Sequence, residues 1–435
     1  MSTQVPAEGS AGIPAEGAVL PPVVSPESRL DPYPLYRLLR TDSPVHWDPP
    51  TRSWYVSRRA DIVELLLDPR LGAHEYPQWV HDLPEAERRD VVPVEDHLAR
   101  WPVFSDRPAQ ALLRRRLQPA LTRAAITPLG DDIRDVTRSL ARNLSSGPTD
   151  LLTGFARPAA VWTVTRLLGA SADDDGARLV RWSDALMRYL GSTGVDVRLA
   201  EDARIAVEEL TGFVLSRTLT SPSTPLARAL FTALDDERIE AEDVVAMVAQ
   251  LVTGGIEPTV AATCVLALRA ARAAAAPRAD PEAAGVAVTE EAAACMPEAR
   301  ADAEAEEALR SDPPFHVAPR EVKADFVHRG HRFARGQRVK LILASAGHDL
   351  PEEVRPAGCP VAAHDRLAAA PGTGHLAFGR GRHYCLGAPL ARLHLRAAWL
   401  ALTEADVPAR IDLAKVERIP EFGATSFRTC PLRPS

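Results

Sequence analysis

The hydrophobic pattern along the chain predicts a mostly helical protein. Leucine and alanine recur every three or four residues over long segments, which is the spacing of one helix face. From Leu386 to Leu400, for example, the apolar positions step by four, three, four and three. The same spacing predicts helices over residues 61–67, 131–144, 160–168, 177–190 and 202–218.

The segment 243–276 is the longest apolar helical stretch, and it is apolar on every side. A helix of this kind is expected to be buried. Short strands are predicted at 45–47 and 53–56, joined by a turn at 48–50, with an extended region from 322 to 343. A hairpin within that region should turn at Arg329 and Gly330. The predicted fold class is therefore mainly α with small β-sheets.

Three segments differ in composition from the rest of the chain. Residues 1–28 are rich in proline, glycine, alanine and glutamate, which predicts a disordered N-terminal tail before a domain over 29–435. Residues 71–104 form a mixed stretch with charges and prolines, and we expect an irregular loop there. Residues 276–305 lack phenylalanine and tryptophan and predict a solvated Ala/Glu-rich helical insertion.

Charge and cysteine content restrict the function classes. The formal net charge of −7 gives no reason to expect nucleic acid as a partner. The five cysteines are scattered, which favours a reducing compartment over a disulfide framework. The start of the chain has neither a signal-peptide pattern nor a membrane-spanning run, so we expect a cytoplasmic protein that does not enter a membrane. The bias toward arginine and alanine suggests a GC-rich genome, such as that of an actinobacterium.

The candidate chemistry is concentrated in residues 375–388, HLAFGRGRHYCLGA. Cys385 directly precedes a helix, where unpaired N–H groups favour a thiolate. Three glycines allow tight turns and close approach, and Arg380, Arg382 and His383 add cationic groups. Such a thiolate is a credible ligand for a soft metal centre such as haem iron. The alternative is a buried structural cysteine after a glycine turn.

The surrounding residues favour the metal ligand. The stretch resembles the haem-binding loop of the cytochrome P450 family, Phe-Gly-x-Gly-x-His-x-Cys-x-Gly. The matching residues are Phe378, Gly379, Gly381, His383, Cys385 and Gly387. The resemblance implies a single haem-binding domain with the P450 fold, in which Cys385 is the axial ligand of haem b. It also implies that Phe378 packs beside the ligand and that His383 approaches a haem propionate.

Further motifs of the same family occur in the expected order. Residues 106–122 resemble its Asp-x-Pro-x-His-x-x-x-Arg helix start, with Arg114 as a propionate-binding arginine and Gln110 in place of the usual histidine. Arg320, after a proline, matches the second propionate-binding arginine. An arginine suits this role because its planar fork binds a carboxylate through two hydrogen bonds.

A Glu-x-x-Arg sequence lies upstream of the cysteine loop. An i,i+3 acid–base pair is common on helices and is weak support by itself. Its position resembles the structural pair of the family, formed here by Glu307 and Arg310, with Arg366 as the third member.

The middle of the long apolar helix resembles the family's oxygen-binding groove, (Ala/Gly)-Gly-x-acid-Thr-Thr. The candidate catalytic residues are Gly254, Gly255, Glu257, Pro258 and Thr259. Pro258 stands where the family usually has the threonine that helps protonate bound dioxygen. Because proline has no N–H and clashes with the carbonyl four residues back, we expect a kink that frees the Gly254 carbonyl. Protons would then come from Glu257 through water, from Thr259 or from a substrate hydroxyl. The alternative is a kink without catalytic consequence.

The sequence gives less information about which residues line the substrate pocket. In the resembled family, the loop after the first sheet and the strand after the Glu-x-x-Arg helix border the pocket. Core packing is an equally good interpretation for each candidate. The candidates are Trp79, Val80, Leu83, Ile256, Phe315, Val317 and Phe427.

The resemblance implies a haem-thiolate oxidoreductase that uses dioxygen and two electrons from a ferredoxin and its reductase. The expected substrate is a small organic molecule, free or bound to a carrier protein, in a tailoring step of natural-product (secondary-metabolite or antibiotic) biosynthesis. Hydroxylation is the default outcome, and Pro258 favours C–C or C–N coupling or desaturation. The alternatives are a haem-binding sensor or scaffold with little turnover, and a peroxide-driven peroxygenase. Clustered arginines at 115, 116, 380 and 382 are candidates for docking an acidic redox partner.

Overall fold

The computed structural model describes residues 20–73, 80, 83–106, 108–144, 147, 149–191, 196–275, 297–350 and 374–434. Helices dominate this part of the chain, as the spacing of apolar residues predicted. In chain order they are α1 (Pro26–Leu30), α2 (Tyr33–Asp42), α3 (Arg59–Leu67), α4 (Glu85–Leu98), α5 (Pro108–Leu117), α6 (Arg123–Ile126), α7 (Leu129–Asn143), α8 (Arg157–Leu168), α9 (Ala172–Gly191), α10 (Val197–Phe213), α11 (Pro225–Ala233), α12 (Ala241–Ala275), α13 (Pro297–Ser311), α14 (Leu343–Gly347), α15 (Ala388–Glu404) and α16 (Val407–Arg410).

The strands form one larger sheet and two hairpins. They are β1 (Val45–Asp48), β2 (Ser53–Val56), β3 (Leu71–Gly72), β4 (Val317–Val322), β5 (Phe326–His328), β6 (His331–Phe333), β7 (Arg338–Ile342), β8 (Glu417–Arg418) and β9 (Phe427–Thr429). The sheet order is β1-β2-β7-β4-β3, in which β2 and β7 are parallel and the other neighbours are antiparallel. Residues from both ends of the chain therefore meet in one sheet.

The hairpin β5–β6 turns at Arg329 and Gly330, as predicted. Both residues have positive φ angles, 50° and 80°. Two consecutive positive φ angles are typical of the two-residue turn whose twist matches that of the flanking strands.

Helix α12 is the centre of the main core. It packs against α8, α9, α13 and α15, and its residues from Val244 to Ala249 are fully buried. By length and composition α12 could cross a membrane, but 67% of its most apolar window is buried inside the protein. Its apolar surface is therefore used for packing, as predicted.

The predicted end of the N-terminal tail is wrong. Residues 20–28 belong to the folded part and not to a tail, because Val23 is fully buried and its N–H donates to Asp48 Oδ1 at 3.3 Å. Ser25 caps helix α1 directly after it. Residues 1–19 lie outside the described residues.

The other corrections concern helices hidden in charged sequence. The stretch expected to be irregular contains α4, whose buried face is formed by every third or fourth residue, among them Val91, Val94 and Leu98. Pro93 interrupts the sequence pattern but lies on the exposed face. The end of the supposed insertion, 297–305, belongs to α13 and buries Ala301 and Ala305. Residues 276–296 lie outside the described residues.

Two buried histidines, His97 and His394, form no ion pair within the described part of the chain. Burial, reinforced for His97 by the nearby positive charge of Arg100, lowers the pKa of His97 to about 4. Burial alone lowers the pKa of His394 to about 4. His394 Nδ1 lies 3.0 Å from the Thr163 hydroxyl, which itself donates to the Ala159 carbonyl. Because that hydroxyl proton is already used, His394 Nδ1 donates, and both histidines are neutral in the folded protein.

We expect acid to destabilise the protein between about pH 6.5 and pH 4. An unfolded histidine gains its proton near pH 6.5, whereas the buried ones resist protonation until about pH 4, so the unfolded state binds more protons in this range. Each histidine should remove up to about 3 kcal/mol of unfolding free energy as the pH falls. Denaturant unfolding at several pH values measures this slope. The dependence of the unfolding free energy on pH should become shallower in His394→Gln. If neither His394→Gln nor His97→Phe changed this dependence, the two histidines would not be its source.

Candidate functional site

The cysteine loop is a tight turn that depends on glycine. Gly379 and Gly381 have φ angles of 68° and 73°, a conformation that side chains disfavour. A Cβ on Gly381 would also lie 2.9 Å from Leu67 Cδ2. The Cys385 N–H donates to the Phe378 carbonyl at 3.0 Å and closes the loop just before α15. The glycines of the motif therefore bring the cysteine to the start of a helix.

The Cys385 thiol lies at the bottom of a cleft. Its side chain is accessible to solvent, yet so much protein surrounds it that burial raises its pKa. The backbone N–H groups of Gly387 and Ala388 and the charge of Arg114 act in the opposite direction. An accessible thiol with backbone donors and cations beside it is arranged for a metal that displaces its proton.

His383 lies two residues before the cysteine and contacts the connection between α4 and α5. Its Nδ1 is 3.1 Å from the Pro102 carbonyl and its Nε2 is 3.2 Å from Asp106 Oδ1. These two contacts fasten the cysteine loop to that connection. The approach of His383 to a haem propionate stays a prediction.

Asp106 is a charged anchor that the sequence analysis did not single out. Burial raises its pKa, but hydrogen bonds from His383 and from the Ala73 N–H, together with the charge of Arg382, bring the pKa to about 2. Arg382 Nε lies 3.2 Å from the carboxylate. Asp106 is therefore ionised at neutral pH and holds Arg382 and His383 of the cysteine loop.

Two arginines near the loop form no ion pair with an acid among the described residues. Arg320 is 6% exposed, and among the described residues its side chain donates only to the Pro319 carbonyl. Burial lowers its pKa to about 10, the nearby charge of Arg382 adds to this effect, and the charge of Asp106 opposes it. Arg114 donates to the Tyr384 carbonyl, next to Cys385. Gln110 lies one turn before Arg114 on α5 and is half-buried.

These arginines fit an anionic ligand with more than one carboxylate. A buried guanidinium that contacts no acid is unfavourable, so a bound carboxylate would stabilise it. Within the part of the chain that the structure describes, neither Arg114 nor Arg320 forms an ion pair with an acid. The thiol of Cys385 and these two cations therefore fit a metal cofactor that carries carboxylates.

A second charged cluster, formed by side chains of α13 and α15, contacts the cysteine loop. Arg392 on α15 pairs with Glu306 at 2.6 Å, and His375 Nε2 lies 3.1 Å from the same carboxylate. The Arg392 guanidinium also lies over the Phe378 ring, 4.6 Å from its centroid. Sequence reasoning missed Glu306 and Arg392, since no local pattern indicates a contact across 86 residues.

The predicted Glu-x-x-Arg pair forms on α13. Arg310 Nε lies 2.6 Å from Glu307 Oε2, and its NH2 group lies 2.7 Å from Oε1. The other terminal nitrogen donates to the Gly347 carbonyl, where α14 ends. The pair thus ties α13 to the segment after the sheet. The predicted third member, Arg366, lies outside the described residues.

The middle of α12 presents an accessible stripe on an otherwise buried helix. Gln250, Gly254 and Pro258, four residues apart, all retain accessible surface, whereas Val252, Thr253 and Ile256 are buried. The helix runs through Pro258 without interruption. One short segment connects the start of this stripe to the cysteine loop, because Val103 N–H donates to Gln250 Oε1 at 2.9 Å and the adjacent Pro102 carbonyl contacts His383.

The two adjacent glycines of α12 have different surroundings. A Cβ on Gly254 would meet nothing within 4 Å, whereas a Cβ on Gly255 would lie 2.8 Å from Val164 Cγ2. Gly255 is therefore a packing residue between α12 and α8, although the sequence placed it in the groove. Gly254 borders open space.

We expect Gly254→Ala and Gly255→Ala to change stability in opposite directions. Alanine in a helix is more stable than glycine by about 0.5–1 kcal/mol, so Gly254→Ala should raise the unfolding free energy. In Gly255→Ala the new methyl group meets Val164, a branched and buried side chain that yields little, at a cost of about 1–3 kcal/mol. Denaturant unfolding of both variants measures the difference. Equal shifts would show that the two glycines have the same surroundings.

Glu257 is paired and not free. Arg157 at the start of α8 contacts both carboxylate oxygens, at 2.9 and 3.4 Å, and also lies 3.5 Å from Asp184. Burial raises the pKa of Glu257, and the charge of Arg157 opposes this effect. The acid on the central helix thus connects to a second acid nearer the surface through one arginine.

The pocket candidates separate into two groups. Val80, Ile256 and Phe427 are buried in the main core, which favours the packing interpretation. Leu83 and Val317 are half-buried and Phe315 is 40% exposed, so these three retain surface for a ligand. Trp79 lies outside the described residues.

Comparison with known proteins agrees with this arrangement. The family model "Cytochrome P450" matches residues 300–402, which include the Glu307–Arg310 pair and the cysteine loop. The chain is 31% identical over 382 residues to vitamin D(3) 25-hydroxylase of Pseudonocardia autotrophica, covering 85% of this chain and 84% of that protein. The chain belongs to the cytochrome P450 family.

Two further relatives extend the comparison over most of the chain. The cytochrome P450 monooxygenase PikC of Streptomyces venezuelae is 27% identical over 424 residues, 93% of this chain and 91% of that protein. The solved structure of the tirandamycin C-bound P450 monooxygenase TamI superposes with a TM-score of 0.73 at 26% identity, covering 95% of this chain and 99% of that one. This P450 is therefore a monooxygenase-type oxidoreductase that binds haem through a cysteine thiolate.

Proposed function

We propose that this P450 uses dioxygen and two electrons to oxidise a small organic molecule in a tailoring step of natural-product biosynthesis. The observation that carries the proposal is the accessible Cys385 thiol beside two arginines that have no acidic partner among the described residues. Bound haem supplies the oxygen-activating redox chemistry. Cys385 would be its thiolate ligand, Arg114 and Arg320 would hold its carboxylates with help from Gln110, and Phe378 would pack beside the loop.

Glu257 is the proposed proton donor for oxygen activation, and Arg157, which stays charged, holds it next to Asp184. Asp184 is 47% exposed on its side chain, Arg157 29% and Glu257 25%, so accessibility falls from the surface to the central helix. The raised pKa of Glu257 makes it a better proton donor at neutral pH than an ordinary glutamate. Thr259 and a substrate hydroxyl are the other proton sources on this side. Pro258 contributes no hydroxyl.

Pro258 shapes the expected product. Without the usual hydroxyl, proton delivery depends on Glu257 or on the substrate, and reactions that do not transfer a hydroxyl become competitive. The product is therefore hydroxylated, coupled through a C–C or C–N bond, or desaturated. TamI, a relative with tirandamycin C bound, supports a natural product as the substrate class.

The experiment begins with an optical titration of the ferric protein against natural products from pathways encoded beside its gene, free and carrier-loaded. Compounds that cause a high-spin shift are turned over with ferredoxin, reductase and ¹⁸O-labelled dioxygen. We expect a product that depends on both reductant and dioxygen. Label in the product indicates hydroxylation, and label only in water indicates coupling or desaturation. Turnover with peroxide alone would support a peroxygenase, and binding without turnover would support a sensor or scaffold.

The arginines near the cysteine loop are the proposed docking surface for the ferredoxin. Arg115 and Arg380 are exposed and have no acidic partner among the described residues, whereas Arg116 and Arg382 face Asp236 and Asp106. Both unpaired arginines are close in sequence to Arg114 or Cys385, which lie at the cleft.

We expect electron transfer from ferredoxin to slow as ionic strength rises, because salt screens exposed charges beyond about 10 Å at 0.1 M. The double variant Arg115→Ala/Arg380→Ala should slow it at low salt and lose the salt dependence. Stopped-flow reduction measures the rate, with Arg335→Ala as an exposed single-charge control. A rate indifferent to salt in the unmodified protein would exclude this docking surface.

A further inference from the structure

A buried histidine, His316, lies directly before β4 and joins three separate parts of the chain. It is only 1% exposed. Its Nε2 lies 2.8 Å from the hydroxyl of Thr425, in the connection between β8 and β9. Its Nδ1 lies 3.2 Å from the hydroxyl of Tyr36 on α2. The ring of His316 therefore contacts the N-terminal helix and the C-terminal connection from the start of a central strand.

Asp312, directly after α13, fixes the direction of these hydrogen bonds. Burial raises its pKa, but hydrogen bonds from neighbouring side chains and the charge of Arg418 bring the pKa well below its ordinary value. An ionised carboxylate only accepts, so the hydroxyls of Thr425 and Tyr33 donate to Asp312 Oδ1, at 2.7 and 2.8 Å. The single proton of the Thr425 hydroxyl is thereby used. His316 Nε2 must therefore donate to Thr425, which makes Asp312, Thr425 and His316 an ordered hydrogen-bond chain.

The backbone segments on either side of this hydrogen-bond chain pair with each other. Residues 314–316 and 423–425 exchange two backbone hydrogen bonds, both of 2.8 Å. Phe315 lies opposite Ala424 in the resulting antiparallel bridge. The side chains of the neighbouring residues thus fix the position of residue 315 relative to the C-terminal connection.

Phe315 is the aromatic residue that this arrangement leaves open. It is 40% exposed, although Pro314 and His316 on either side of it are buried. Arg320 follows five residues later on the same strand, at most about 17 Å away along an extended chain. Arg320 in turn lies near Arg382 of the cysteine loop. The ring of Phe315 therefore retains free surface within reach of a molecule bound beside that loop.

We propose that the hydrogen-bond chain formed by Asp312, Thr425 and His316 positions Phe315 for contact with the substrate and thereby contributes to substrate selection. This inference rests on the proposed function, because Phe315 would border the cleft in which the substrate binds. The three polar residues are positioning residues, since they act through Phe315 and do not themselves touch the substrate. A buried polar network whose members are hydrogen-bonded is rigid, so it holds the neighbouring ring in one place.

The test compares ligands that bind ferric haem through the same nitrogen and differ in a phenyl group. The probes are 1-methylimidazole and a series of 1-(phenylalkyl)imidazoles whose linkers grow by one methylene group at a time. Soret titration of the holoenzyme gives each affinity, and the phenyl preference is the affinity of the best phenyl-bearing probe relative to 1-methylimidazole. Phe315→Ala should reduce this preference about two- to tenfold, as for the loss of one aromatic contact.

Thr425→Val keeps the shape of the side chain and removes its hydroxyl from the hydrogen-bond chain. We expect the phenyl preference to fall in this variant, and to fall no further when Thr425→Val is added to Phe315→Ala. Thr425→Ser retains the hydroxyl and should retain the preference. Thr163→Val is the matched control, because Thr163 is also a buried threonine 3.0 Å from a buried histidine, His394. This control should lose stability without a change in the phenyl preference.

An unchanged phenyl preference in Phe315→Ala or in Thr425→Val would overturn the proposal, and so would an equal change in Thr163→Val. A further fall on adding Thr425→Val to Phe315→Ala would also overturn it, because the effect would then not act through Phe315. If Thr425→Val does not hold haem, Tyr36→Phe, which removes only the hydroxyl beside His316 Nδ1, decides by the same comparison.

The proposed function is judged separately, by the spectrum of the reduced carbon-monoxide complex and by turnover. A thiolate-type spectrum together with an unchanged phenyl preference removes the positioning role and leaves the proposed function standing.

Discussion

Cys385→Ser should abolish oxygen-dependent turnover. The substitution replaces a soft thiolate, which pushes electron density to the iron, with a hydroxyl that remains protonated at neutral pH. Changing a residue that merely supports a metal ligand typically costs 10–100-fold in affinity or activity, so losing the ligand should cost more than about 100-fold. Product formation with ferredoxin and reductase, together with haem content after purification, measures the loss.

The matched control for this variant is Cys264→Ala. Cys264 is a fully buried thiol on the far half of α12, where it packs in the core and lies away from the cysteine loop. This variant should retain haem and turnover apart from a modest loss of stability. If Cys264→Ala lost activity as Cys385→Ser does, the effect would come from thiol removal in general and not from the axial ligand.

Arg310→Ala should lower the unfolding free energy by about 3 kcal/mol. Arg310 is 12% and Glu307 17% exposed, so the substitution leaves a largely buried carboxylate without its two-point partner. It also removes the donor to the Gly347 carbonyl. Arg269, 3.6 Å from the same glutamate, limits the loss. Denaturant unfolding at pH 7 measures the effect.

Arg134→Ala provides the comparison for this pair. Arg134 and Asp131 have the same i,i+3 spacing on a helix, at 2.9 Å, but their side chains are 46% and 80% exposed. Water screens such a pair, so the change should stay within about 0.5 kcal/mol. Similar losses in both variants would show that burial does not distinguish the Glu307–Arg310 pair.

The cysteine loop and the Glu-x-x-Arg pair could be predicted because their chemistry is local. Glycines at 379 and 381 specify positive φ angles, and three residues of spacing place Glu307 and Arg310 on one helix face. The long helix through Gly254 could be predicted because a long helical segment that is apolar on every side is expected to be buried. In the loop and in the Glu307–Arg310 pair, the residues that decide the structure lie within one turn of each other.

What the sequence could not predict depends on partners far away in the chain. His383 turns to Asp106, 277 residues earlier, and Gly255 is closed off by Val164 on another helix. Helix α4 was missed because its charged residues and Pro93 obscured a buried face that only its packing against α10 completes. Local spacing carries no information about which long-range acceptor or side chain a residue will meet.

The reduced carbon-monoxide spectrum of the purified protein tests the central claim most directly. Cys385 is the residue proposed to hold the haem iron through its thiolate. We predict the red-shifted Soret band of a thiolate-ligated haem in the unmodified protein and the absence of this band in Cys385→Ser. A band typical of imidazole or protonated thiol ligation in the unmodified protein, or a thiolate band that persists in Cys385→Ser, would contradict this proposal.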